Sequence, residues 1–171
     1  MDSMHLRVFQ GQVYLQCRFM LRAADDLNRA LKSGDPEHVF YALQNLLNAG
    51  ANISKAFWGG KGKKAAERKL LRDSIGISDD SPLRDVAMRN NFEHIDERID
   101  RWWENSPAHD YVDINIGDVG GVAQQDMFRN YNMDTQKLTF WGEDFDVQGI
   151  VDEVLRILPM LKEKIEPQCS F

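Results

Sequence analysis

Arg89, Asn90 and His94 are the residues whose types and spacing could do chemistry. They lie in the run Arg89-Asn90-Asn91-Phe92-Glu93-His94. An imidazole can remove or donate a proton near pH 7. A guanidinium stays charged and offers a fork of donors to an oxyanion, and a carboxamide can orient either partner. On a helix, Asn90 and His94 are four apart and share a face. At about 100° per residue, that face points away from Phe92, Ile95 and Ile99 and also carries Glu97 and Arg101, with Arg89 at the border of the apolar stripe. A solvated polar face has the same composition, so spacing alone leaves both readings open.

The elements that must position this run are mostly helical. Residues 5–32 read as one long amphipathic helix, with Leu6, Phe9, Val13, Leu15, Phe19, Leu21, Ala24, Leu27 and Leu31 at mostly helical spacings and Ser33-Gly34 as its stop. Asp35-Pro36-Glu37 opens a second helix, aspartate at the N-cap and proline at the first helical position. It carries Val39, Phe40, Leu43, Leu46, Leu47, Ile53 and Phe57 and ends at Trp58-Gly59-Gly60. Two long helices joined by so short a turn should form an antiparallel hairpin. A third helix is expected over 63–75. After a loop at 76–82, Ser81 should cap and Pro82 open a fourth helix reaching about residue 104, with Met88, Phe92, Ile95, Ile99 and Trp102/Trp103 as its buried stripe.

Beyond Pro107 the texture changes. Residues 111–116 alternate apolar and polar as a strand does, and 126–131 and 138–141 read as two more strands around the turn at Asn132-Met133-Asp134. A last helix, 147–165, carries Ile150, Val151, Val154, Leu155, Leu158 and Leu161, with Pro159 expected to kink or break it. The expected fold is mainly α: a single domain over 1–171, an antiparallel four- to five-helix bundle with a small two- or three-stranded antiparallel β insertion (about 110–142) before the last helix.

Composition narrows the function classes. The chain has 171 residues, 43% of them hydrophobic, which is enough for one domain with a core. Its mean hydropathy of −0.49 and lack of a long apolar run argue against a membrane span. The N-terminus has no basic leader followed by an apolar stretch, so no signal peptide is expected and the cytoplasm is the default compartment. With 21 Lys and Arg against 27 Asp and Glu, the net charge of −6 disfavours a protein that coats nucleic acid by bulk electrostatics. It leaves room for an enzyme that meets RNA at one small basic site.

Other motifs point elsewhere than to cofactors. Gly59-Gly60-Lys61-Gly62-Lys63-Lys64 follows a helix rather than a strand, and no Ser or Thr follows the lysine, so it is no phosphate loop. Gly117-Asp118-Val119-Gly120-Gly121 lacks the strand-to-helix setting of a dinucleotide fingerprint. His5, His38, His94 and His109 are scattered without a second histidine at helical spacing, so no metal and no cofactor is expected, and all but His94 read as surface residues. Cys17 reads as a small core residue and Cys169 as a tail thiol. Lys64, Arg68 and Arg72 are successive i, i+4 neighbours and form a positive ridge on which an RNA backbone could rest, or a solvated face. Glu97 is expected to pair with Arg101, leaving Arg98 without a partner. Trp102, Trp103, Phe57 and Trp58 read as core, and one ring of Phe140-Trp141 should face outward.

Arg89-Asn90-Asn91-Phe92-Glu93-His94, late in an arrangement of helical hairpins, resembles the HEPN (higher eukaryotes and prokaryotes nucleotide-binding) superfamily. Its pattern is an arginine, a polar residue directly after it and a histidine four to six residues beyond. Arg89, Asn90 and His94 match those positions with four residues between arginine and histidine. The helix order fits over about residues 5–104 plus the last helix, and the β segment is not part of the common bundle. The resemblance implies a metal-independent endoribonuclease, of toxin or defence type, that uses the ribose 2′-hydroxyl as nucleophile. It implies His94 as general acid/base, Arg89 bridging phosphate oxygens as charge develops, and Asn90 orienting histidine or phosphate. It also implies a homodimer through the motif helix and, for a toxin, an antitoxin protein as partner. Two other readings stand beside it: a non-catalytic bundle that binds a nucleotide or a protein, and a scaffold whose β segment adds a strand to a partner's sheet.

Overall fold

Asp2 caps the first helix, α1 (Ser3–Ser33), its carboxylate accepting from the His5 amide at 2.8 Å. The helix ends at Gly34, whose φ of 68° puts it in the left-handed region that glycine enters without strain. These assignments come from a computed structural model that describes residues 1–166. Cys169 therefore lies outside the described residues. The buried positions of α1 run Gln10, Val13, Cys17, Met20, Ala23, Leu27 and Ala30, spaced by threes and fours throughout. Leu15 and Phe19, expected on that stripe, are 38% and 43% exposed. The apolar residues of α1 are too widely spread around the helix for all of them to meet one neighbour.

In α2 (Pro36–Trp58), Asp35 caps through the His38 amide at 3.2 Å and Pro36 occupies the first turn. Val39, Phe40, Leu43, Leu46, Leu47, Ile53 and Phe57 are all buried. Each contributes about 1.5–3 kcal/mol of transfer free energy, so this helix is the centre of the core. Asn52 donates to Gln16 of α1 at 3.4 Å across the two long helices. The third helix, α3 (Lys63–Ser74), buries only Leu71 and ties to α1 where Gln10 donates to the Ser74 hydroxyl at 3.0 Å.

The expected fourth helix is replaced by three pieces. A 3-10 turn at Pro82–Arg84 precedes α4 (Ala87–Glu93) and α5 (Ile95–Asn105), and the helix breaks at His94, with φ −106° and ψ 40°. Ser81 stands at the N-cap of that turn, but its hydroxyl makes no cap bond and donates to Glu153 at 2.9 Å instead. The break also splits the expected stripe. Met88, Phe92 and Trp102 are buried, but Ile99 is 39% and Trp103 62% exposed.

The sheet has four strands, more than expected, in the order β1 (Asn115–Ile116), β2 (Arg129–Asn132), β3 (Lys137–Phe140) and β4 (Glu143–Asp146). The β1–β2 pair is parallel and the other two pairs are antiparallel, so the insertion is not purely antiparallel. Trp141 and Gly142, at φ 49° and 84°, form the two-residue link between β3 and β4, which suits the mirror-image turns that match strand twist. Leu138, Phe140 and Phe145 are buried, and Trp141 lies half out of the protein.

The last helix, α6 (Val147–Ile165), has the expected bounds and runs through Pro159 without a break. Pro159 is on the solvent side, where water can satisfy the carbonyl it leaves unpaired. The described residues are thus mainly helical, with six α-helices and the small sheet before the last one. Among the described residues no helix is long and apolar enough to cross a membrane. Cys17 is fully buried, and burial pushes its thiol up to about 12, so it packs as a small apolar group.

Candidate functional site

Arg89 sits in the middle of α4, its side chain only 12% exposed. It borders a small internal cavity of about 10 Å³ among α2, α6, Leu83, Asp85 and Phe145. Its Nε is buried without a hydrogen-bond partner among the described residues. The other edge of the guanidinium is different: Nη1 is ion-paired with Glu93, whose side chain is 54% exposed. Arg89 is therefore anchored in the core by its stem and presents an anion-binding edge to the surface, where a carboxylate now holds it.

His94 lies at the joint between α4 and α5, half exposed, with Nδ1 3.3 Å from Glu97 Oε1. A carboxylate at Nδ1 favours the tautomer that leaves Nε2 open to an incoming group. Because the helix breaks here, Asn90 and His94 do not continue one face into Glu97 and Arg101 as expected. The His94 amide donates to the Asn90 carbonyl at 3.0 Å, while the Asn90 side chain, half-buried, makes no hydrogen bond among the described residues.

The neighbouring Asn91 is the carboxamide built into the structure. It is 8% exposed, accepts from Arg98 Nε at 3.1 Å and donates to Glu143 of β4 at 3.4 Å. Arg98 also lies 3.7 Å from Glu97, so it is well partnered. Arg101 instead sits over the Trp141 ring at 5.0 Å. A chain of contacts thus runs His94–Glu97–Arg98–Asn91–Glu143 and couples the imidazole to the sheet. Sequence reasoning assigned no role to Asn91 and expected Arg98 to lack a partner, which the Asn91 and Glu97 contacts overturn. The only signal for Asn91 was its position beside Phe92 on the buried side of α4.

The ridge on α3 is only partly free. Lys64 is exposed. The Arg68 guanidinium lies 3.7 Å from the centre of the Phe9 ring with Nε buried, and burial lowers its pKa against the opposing charge of Glu67. Arg72 donates to the Phe57 carbonyl at 2.6 Å and places Nε 3.1 Å from Asp79. A hydrogen bond from Trp58, with the charges of Arg72, Arg84 and Lys69, holds Asp79 below the usual carboxylate range. None of the three shares a hydrogen bond or ion pair with Arg89, Asn90 or His94 among the described residues.

A second polar cluster lies under the sheet. Asp126, 1% exposed, accepts from Trp102 Nε1 at 2.9 Å and from the Ser106 hydroxyl. Asp113 pairs with Arg129, which lies between the rings of Phe40 and Phe92. Burial alone would raise Asp113, but the hydrogen bonds and charge of Arg129 hold it low, while burial, with Asp113 beside it, pushes Tyr111 up to about 12. These groups satisfy one another's hydrogen bonds and read as structural.

Among the described residues no group of three or more His, Cys, Asp or Glu side chains is placed to hold a metal ion. Comparison with known proteins returns no matching family model, no matching curated protein and no matching solved structure.

Proposed function

We propose that this chain is a metal-independent endoribonuclease of HEPN type. The observation that supports it is the pairing just described. A core-anchored guanidinium, held at its outer edge by an exposed carboxylate, lies on the short helix whose C-cap carries a half-exposed imidazole with Glu97 at Nδ1. A phosphodiester can compete with Glu93 for Arg89, because its two non-bridging oxygens can accept from the guanidinium as a carboxylate does.

In this reading His94 Nε2 takes the proton of a ribose 2′-hydroxyl. The 2′-oxygen attacks phosphorus, Arg89 stabilises the negative charge on the non-bridging oxygens, and the bond to the 5′-oxygen breaks as that oxygen takes up, directly or through water, the proton His94 had accepted. The products are a 2′,3′-cyclic phosphate and a 5′-hydroxyl end. Asn90 orients the phosphate or the imidazole. Lys64, with the exposed parts of Arg68 and Arg72, guides the RNA backbone. The helices form an antiparallel bundle, two copies meet through the motif helix, and the protein works in the cytoplasm, as a toxin with an antitoxin protein or in defence.

The test is incubation of end-labelled structured and single-stranded RNAs in EDTA, with analysis of the new ends. Cyclic phosphate and 5′-hydroxyl ends are expected. Intact RNA throughout, with saturable nucleotide binding, supports the second reading, a non-catalytic nucleotide- or protein-binding bundle. One observation favours that reading: Arg89 is already engaged by Glu93 and is only 12% exposed.

A further inference from the structure

Away from Arg89 and His94, the side of α1 meets the first turns of α6 and the β2–β3 turn around a pocket of about 340 Å³. That volume lies within the range of small-molecule sites. Leu21 of α1, Leu46 of α2, and Val151 and Leu155 of α6 supply apolar walls. Leu155, 51% exposed, lies at the rim.

Into this apolar space come a few polar groups that the fold leaves unused. Tyr131 lines the pocket at 4% exposure, and its hydroxyl makes no hydrogen bond among the described residues. That hydroxyl is not cut off from solvent, so it is open to a partner that enters the pocket. Asp25 also lines the pocket and forms neither an ion pair nor a hydrogen bond among the described residues, unlike Asp26, which pairs with Arg29. Asn28 and Gln136 add carboxamides. No Lys, Arg or His is among the lining residues, so Asp25 is the one formal charge there. An anion would meet that carboxylate with no counter-charge, within a chain of net charge −6.

We propose that this pocket binds a small organic cation, with an apolar body between Leu21, Leu46, Val151 and Leu155 and its protonated nitrogen at Asp25. The Tyr131 hydroxyl and the Asn28 and Gln136 carboxamides serve as hydrogen-bond partners that orient it. The site stands apart from the ribonuclease reading: it has no group to hold a phosphate, and its loss leaves Arg89 and His94 untouched.

Three probes that share a phenyl ring test it: benzylamine, benzyl alcohol and benzoate, titrated into the full-length protein while amide resonances are followed by NMR. Benzylamine should give saturable shifts centred on Asn28, Gln136 and Gln148. It should bind up to ~5-fold more tightly than benzyl alcohol, as one partly solvated ion pair allows, with benzoate weakest. Asp25→Asn, a surface-accessible change that should fold, is expected to erase the difference between amine and alcohol while leaving alcohol binding unchanged. Val151→Trp should abolish binding of all three by filling the space. Equal affinity for amine and benzoate, shifts centred elsewhere, or no saturation with benzylamine up to its solubility limit would each overturn the proposal.

Discussion

Along α1 the buried positions after Gln10 are all apolar, from Val13 to Ala30. The stretch from Ser106 to Asp146 instead buries Ser106, Asp126 and much of the Asp113–Arg129 pair among the rings of Trp102, Tyr111, Phe128 and Phe140. The contrast follows from backbone accounting. A long helix satisfies its own amides and carbonyls, so its inward face can be wholly hydrocarbon and hold by area alone. Strands of two to four residues leave most of their connecting backbone outside any ladder. Side chains must then fix the loops: Asp126 collects Trp102 and Ser106, while Asp113 and Arg129 join β1's approach to β2. The helical region is built to be stable, and the β region is built to be specific. The Arg89–His94 run sits at their junction, with Arg89 facing the helical core and Asn91 reaching Glu143 of the sheet.

The largest effect that would probe this contrast belongs to the helical core. Leu43→Ala, at a fully buried position, should cost about 3–4 kcal/mol. It should lower helix circular dichroism and tryptophan fluorescence midpoints together, because both regions rest on α2. Separate midpoints would mean that the β region folds on its own.

Arg129→Met should cost somewhat less, about 2–4 kcal/mol, because it leaves Asp113 charged and partly buried without its partner. Here the tryptophan signal should fall before the helical one. Acid sharpens the same comparison. In the wild type Asp113 titrates below the usual carboxylate range because Arg129 outweighs burial. Its contribution is therefore complete above about pH 4, the unfolded value, and is lost as pH falls through the lower folded value. In Arg129→Met, burial is opposed only by the Ile114 amide and the Tyr111 hydroxyl, so the carboxyl titrates higher than in the wild type and acidification should cost the variant less. Denaturant melts of the two proteins across pH should draw together on the acid side. Curves that stay parallel would remove the ion pair from the account.

Most of the helical region was legible. The end of α1 follows from Ser33-Gly34, the start of α2 from Asp35-Pro36 and the course of α2 and α6 from their apolar period, while the Asp2 cap, ahead of the expected start at residue 5, was not read. Nor was the break at His94. No glycine or proline marks it, and the two halves face different sheet residues: Phe92 meets Phe140 while Trp102 meets Phe128. That division is imposed by a distant segment and leaves no local trace. The strand β4 was missed because Glu143, Asp144 and Asp146 point outward around one buried Phe145, which reads as an acidic loop. Of the site, the position of Arg89 at the border of the buried stripe was readable from helical spacing. Its engagement by Glu93 and the role of Asn91 were not, because both depend on side-chain partners rather than on period.

The smallest structural effect is expected at the residue that matters most for the proposed chemistry. His94 is half exposed and its side chain meets the exposed carboxylate of Glu97, so His94→Ala should change stability by no more than about 0.5 kcal/mol. Cleavage rate on one RNA in EDTA, measured side by side for wild type and His94→Ala at matched thermal midpoint, is the most direct test. The account predicts that the wild type cuts and the variant does not; equal cutting by both would contradict it.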